Sequence, residues 1–159
     1  MKTFKLQVFA NRCGNCGLEF ESLVLPGDYE PILYVSRAGV MRYLDPDEDP
    51  VWTETKGLIK AAIKGRRVSE SSEAELFHHL LARTIDAPAE GDSFASAWEK
   101  PPCPRCGSTT RTYFGPVDPP RFKEVSIAPV THKKWESLPP AEKAAEAERV
   151  VQEKLDLHQ

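Results

Sequence analysis

Residues 2–10 alternate in polarity. Phe4, Leu6, Val8 and Ala10 fall on one face and Lys5 and Gln7 on the other, which is the period of a half-buried β-strand. Residues 18–25 read as its hairpin partner, ended by Pro26-Gly27. Residues 31–35 and 40–44 form a second hairpin pattern around Arg37-Ala38-Gly39. The run Asp45-Pro46-Asp47-Glu48-Asp49-Pro50 has the D-x-D-x-D spacing of a calcium loop. It lacks the loop's sixth-position Gly and twelfth-position Glu, and two prolines interrupt it. It reads instead as a helix start, with Asp49 as N-cap and Pro50 as the first helical residue. The helix predicted over 50–64 carries Trp52, Leu58, Ile59, Ala62 and Ile63 as its apolar stripe. Ser72-Glu73-Ala74-Glu75 has the spacing of a capping box and predicts a second helix to Ile85, burying Leu76, Phe77, Leu80, Leu81 and Ile85.

Past this point the pattern loosens, and ten of the 14 prolines lie at or beyond Pro88. Residues 87–102 read as a return loop with Phe94 and Trp98 as anchors. Residues 109–114 and 122–130 read as strands separated by the break at 116–120. A final helix runs from Leu138-Pro139-Pro140 to about Leu155. Its face of Ala144, Ala147, Val151 and Leu155 is narrow and Ala-rich, so it needs docking on this chain or on a partner. No internal repeat is visible.

The chain has 159 residues, enough for one ordinary domain with a real core, and its apolar and charged fractions are those of a soluble globular protein. The net charge of -3 disfavours a protein that coats nucleic acid by bulk charge. No apolar run approaches the ~20 residues of a membrane helix. The segment Met1-Lys2-Thr3-Phe4-Lys5 has no signal-peptide character, so the expected location is cytoplasmic.

The candidate chemistry lies in the cysteines. Cys13-Gly14-Asn15-Cys16-Gly17 and Cys103-Pro104-Arg105-Cys106-Gly107 are two C-x-x-C-G turns, and there is no fifth Cys. Two intervening residues let both sulfurs of one tight turn face one ion, and the following Gly supplies a positive φ. The expected site is one structural Zn2+ on Cys13, Cys16, Cys103 and Cys106, with iron as the alternative metal. Disulfides need an oxidising compartment. A thioredoxin-like C-x-x-C normally comes once and opens a helix. The 86 residues between Cys16 and Cys103 far exceed the spacing of a simple ribbon, which predicts a domain-sized insertion.

The opening strand, Cys13-Gly14-Asn15-Cys16-Gly17-Leu18-Glu19-Phe20-Glu21 and the closing Cys103-Pro104-Arg105-Cys106-Gly107-Ser108 resemble the FmdB-type putative-regulator zinc ribbons, over about 30 residues of the chain. The resemblance implies a four-cysteine ribbon with rubredoxin-like knuckles. The long insertion departs from the family's compact spacing.

The expected fold class is α+β: a zinc ribbon and small antiparallel sheet with an inserted helical hairpin and a C-terminal helix. The expected organisation is 1–30 plus 101–130 as a discontinuous ribbon and β core, 31–100 as the inserted hairpin and two helices, and 131–159 as a helical tail. A four-thiolate zinc has no open coordination position, and motifs for nucleophilic, phosphate-binding or metalloprotease chemistry are missing. The expectation is therefore a zinc-stabilised, non-enzymatic interaction or structural protein, such as a small subunit of a virion or other assembly. Its expected partners are proteins or copies of itself, with no membrane and no small-molecule substrate. A nucleic-acid-binding ribbon regulator is the alternative. Its candidate contacts are Lys56, Lys60, Lys64, Arg66 and Arg67, joined by Arg105, Arg111 and His132-Lys133-Lys134. Against this, the lysine stripe has no interleaved aromatics and reads rather as a solvated face with cations at the helix C-terminus. A rubredoxin-like redox protein is the further alternative. His78 and His79 read as surface or packing residues, since four thiolates already complete a ligand set.

Overall fold

The computed structural model describes residues 1–27, 31–96 and 99–156. It is a mixed α+β structure with the element order β1 (Lys2–Cys13), β2 (Glu19–Val24), β3 (Ile32–Val35), β4 (Met41–Leu44), α1 (Pro50–Ala62), α2 (Glu70–Thr84), β5 (Arg111–Pro116), β6 (Phe122–Pro129), α3 (Lys133–Glu136) and α4 (Pro140–Asp156). The chain divides into two compact units. The first gathers Met1–Asp45, Ala87–Ala95 and Glu99–Val130. The second gathers Pro46–Asp86, Ser96 and residues 131–156. Of the sequence boundaries at 31, 101 and 131, only the last is also a unit limit. The 32–44 hairpin lies with the β unit because β4 pairs with β6, and the C-terminal helix lies with α1 and α2. Among the described residues, no helix is long and apolar enough to cross a membrane.

In the β unit, β1 is the hub. One edge pairs antiparallel with β2, from Gln7↔Val24 to Arg12↔Glu19. Its other edge pairs with β6 along Lys2 to Gln7 and with β5 along Phe9 to Cys13. The sheet order is β2-β1-β6-β4-β3, with β5 off this path. β4 runs parallel to β6 over a short contact and antiparallel to β3. The core is Leu6, Tyr43 and Ile127, surrounded by Phe4, Leu23, Leu33, Met41 and Val125. β1 outlasts the predicted alternation by three residues. Its buried positions switch from Leu6 and Val8 to Asn11 and Cys13, so its two halves bury opposite faces. The 87–95 segment attaches through a Ser36↔Phe94 bridge, and the Phe94 ring lies 6.4 Å from Tyr34. The other proposed anchor, Trp98, lies outside the described residues.

In the helical unit, α1 starts as predicted. Asp49 caps it by accepting from the Val51 N–H at 3.0 Å, with Pro50 opening the helix. Its fully buried side is Val51, Thr55, Ile59 and Ala62, and Trp52, Leu58 and Ile63 flank it half-buried. The predicted start of α2 needs correction. The helix begins a turn earlier, at Glu70. The Ser69 hydroxyl accepts the Ser72 N–H at 3.2 Å, and Ser72 sits inside the first turn. The cap is set by the free N–H groups of the actual first turn, which Ser69 reaches. The buried face of α2 is the predicted one. The final helix docks on α1 and α2 through Ala147, Val150 and Val151, and Ala144 is exposed. Arg83 of α2 reaches Glu146 at 3.0 Å and also pairs with Glu153.

Candidate metal centre

β1 carries Cys13 at its end, Cys16 follows in the turn toward β2, and Cys103 and Cys106 occupy the turn before β5. The two turns share one backbone pattern. The Gly17 N–H donates to the Cys13 carbonyl at 3.1 Å, and Gly107 does the same to Cys103 at 2.8 Å. Cys13 and Cys103 in turn donate to the Leu18 and Ser108 carbonyls at 2.9 and 2.8 Å. Gly17 and Gly107 both have φ 77°. Nothing lies within 4 Å of a Cβ placed on Gly17, so backbone conformation alone demands glycine there.

Two sulfur contacts cross between the pairs: Cys13 Sγ to Cys106 Sγ at 3.5 Å and Cys16 Sγ to Cys103 Sγ at 3.6 Å. All four ligand atoms lie within 4.8 Å of one another. A tetrahedral ion bound at ~2.3 Å from each sulfur separates its ligands by ~3.8 Å, and a disulfide would need ~2.05 Å. The cage therefore fits one metal ion held by both pairs. Cys13 and Cys103 are buried, while Cys16 and Cys106 are half-buried. It is the one group of three or more potential metal-ligating side chains among the described residues.

Electrostatics distinguish the four thiols. Cys13 is pulled down to about 6, chiefly by the Cys16 N–H aimed at its sulfur at 3.5 Å, with the Asn15 N–H at 3.4 Å adding to this against burial. Cys106 is also lowered, mainly through Asn15. Cys16 receives a favourable N–H from Leu18 but is pushed up to about 11 by burial and the neighbouring sulfurs. Thiolates forced together resist joint ionisation, and a bound cation removes that resistance.

A polar buttress stands behind the cysteines. Arg111 donates through Nε to Asn11 Oδ1 at 3.0 Å and to the Ser108 and Thr110 carbonyls at 3.1 and 2.9 Å. It also donates to the Pro101 carbonyl, and its guanidinium lies 4.8 Å from the centre of the Phe20 ring. Asn11, 3% exposed, passes the tie on to the Ser22 hydroxyl at 2.8 Å. One guanidinium thus fastens the second cysteine turn to β1 and β2. No protein family, curated protein or solved structure matches the chain. The metal site therefore stands on its own geometry, which is consistent with a zinc-ribbon-like centre.

The remaining candidate residues divide by environment. Lys56, Lys60, Lys64 and Arg67 are exposed on or just after α1, and Arg66 pairs with Glu148 at 3.6 Å. Arg105 is exposed in the second cysteine turn, and its carbonyl accepts from Arg37. Arg111 is consumed by the buttress. His132 is buried in the helical unit, and Lys133 and Lys134 are exposed with their N–H groups on Asp86 at 2.8 and 3.1 Å. His79 meets Glu75 at 3.7 Å, and the His78 ring packs on Trp52 and Phe77. Sequence reasoning missed Asn11 and the true role of Arg111. The available signal was a polar residue two positions before Cys13, on the face the metal turn must bury.

Proposed function

We propose that this chain is a zinc-stabilised, non-enzymatic interaction or structural protein. One Zn2+ on Cys13, Cys16, Cys103 and Cys106 ties together segments far apart in sequence. The observation that carries this reading is the cross-paired sulfur cage, with contacts of 3.5 and 3.6 Å. Four thiolates fill a tetrahedral ion and leave no position for water or substrate, so the metal contributes folding energy and acts on no ligand. The FmdB-type resemblance of the cysteine turns supports the ribbon-like part of this reading. The protein then works through its surfaces, alone or as a small subunit of a larger assembly.

Elemental analysis of the purified protein together with its visible spectrum tests the metal. One equivalent of zinc in a colourless sample is expected. Iron with strong visible absorption would replace this reading with a rubredoxin-like redox protein. Cys13→Ser and Cys103→Ser are each expected to lose the metal and unfold the β unit. Wild-type melting of both variants would refute a structural metal.

A further inference from the structure

The sheet face opposite the Leu6–Tyr43–Ile127 core carries a row of aromatic rings. Residues directly opposed across a sheet share a face, as do alternate residues of one strand. Gln7 opposes Phe122, and Asn11 opposes both Phe114 and Phe20. Phe122, Phe9, Phe114 and Phe20 therefore stand on one face. Along β1 the levels of Phe122, Phe9 and Phe114 rise in steps of two residues, or about 6.8 Å each. Phe9 and Phe114 have ring centres 4.9 Å apart. Phe122 is 48% exposed, and the other three rings are half-buried. A cation lies over three of the rings: Lys5 over Phe122 at 5.1 Å, Lys100 over Phe114 at 5.5 Å and Arg111 over Phe20 at 4.8 Å. Lys5 and Lys100 are exposed.

We propose that this face binds single-stranded nucleic acid, with bases stacked on Phe122, Phe9 and Phe114 and phosphates met by Lys5 and Lys100. The inference rests on reading the chain as a non-enzymatic interaction protein, and it names the class of partner. An apolar protein surface laid here would bury two ammonium groups together with the Glu124 carboxylate that opposes Lys5 on the same face, which is strongly unfavourable. A nucleic acid supplies π-faces for the rings and phosphates for the lysines together. The strand must be single, because duplex bases are already stacked on one another. The α1 lysines lack interleaved rings, whereas this face has them. With a chain net charge of -3, affinity must come mainly from stacking, so the salt dependence is shallow. Two phosphate contacts give a log–log slope of about -1.4 for a single strand.

The test is fluorescence anisotropy of labelled oligo(dT), oligo(U) and a duplex with the zinc-loaded full-length protein, across a salt series. The single strands are expected to bind more tightly than the duplex. Phe122→Ala and Phe9→Ala should each weaken binding about fivefold or more. Phe122→Trp should retain binding, and Lys5→Gln should flatten the salt slope by about 0.7. Phe122 is half-exposed, so its variants should keep wild-type zinc content and melting. Failure of zinc-replete protein to bind any oligonucleotide overturns the proposal and leaves the zinc-stabilised reading standing. Zinc-free native protein overturns that reading itself. Binding that ignores the Phe substitutions but vanishes in Lys60→Glu with Lys64→Glu overturns the proposal by moving the site to α1. A dimer that Phe122→Ala dissolves, seen by sedimentation, overturns it in favour of a second copy of this chain.

Discussion

His132→Ala is expected to be the most damaging single substitution in the helical unit. His132 is 6% exposed and touches two neighbours. Its Nε2 lies 2.5 Å from Asp49 Oδ2, and its Nδ1 lies 3.0 Å from Thr84 Oγ1 and 3.1 Å from the Thr84 carbonyl. The Thr84 hydroxyl proton is already committed to the Leu81 carbonyl at 2.7 Å. Thr84 can therefore only accept from Nδ1, the carboxylate can only accept from Nε2, and the ring must carry both protons. Burial opposes this charge, but the hydrogen bond and charge of Asp49, with the Thr84 carbonyl, outweigh it and raise the pKa of His132. The clamp joins the α1 N-terminus, the α2 C-terminus and the start of α3. Asp86 and Glu136 are the other charged groups acting on it. Removing one partner of a buried pair costs about 3–5 kcal/mol. The 6% and 13% side-chain exposures of His132 and Asp49 put this pair near about 3 kcal/mol, or about 6–12 °C in Tm. The pH dependence follows the direction of the shift. The stabilisation is complete below the unfolded histidine value of about 6.5 and is lost as pH rises through the higher folded value. Asp49→Asn keeps an acceptor for the Val51 N–H but removes the counter-charge. Its melting temperature should lack the decline that the wild type shows as pH rises above about 6.5. Calorimetric melting curves that fall in parallel for both proteins would refute the protonated clamp.

Arg111→Lys keeps the charge but loses the fork. It is expected to cost about 2 kcal/mol and to weaken metal affinity about 10–100-fold in chelator competition, and unchanged affinity would count against the buttress. Lys60→Glu with Lys64→Glu, both exposed, should move stability by no more than about 0.5 kcal/mol in urea unfolding. A larger loss would show that these lysines are packed. His78 is lowered to about 4 by burial, then by His79 and Lys56, so its contribution is present above about pH 6.5 and is lost as pH falls toward 4. His78→Phe should flatten that acid limb of the urea midpoints, and an unaltered limb would assign it to other groups.

The sequence by itself determined the local elements and the candidate ligand set. The alternation of β1, the Asp49–Pro50 start of α1 and the buried face of α2 depend on neighbours within a few residues, where periodicity and capping act. The four cysteines were legible because two C-x-x-C turns have few other uses. The α2 cap was misplaced because Ser69 and Ser72 are equally good local signals, and only the actual first turn chooses between them. Tertiary structure decided the rest. β1 changes its buried face at Asn11 because the metal turn, and not the Leu6 core, covers that end. Arg111 became a buttress and His132 a buried clamp because Asn11, Asp49 and Thr84 reach them from 48 to 100 positions away. The aromatic row assembles residues of four strands through inter-strand register. Pairing across long separations is set by the summed burial and hydrogen bonding of whole elements, and no short window of sequence contains that sum.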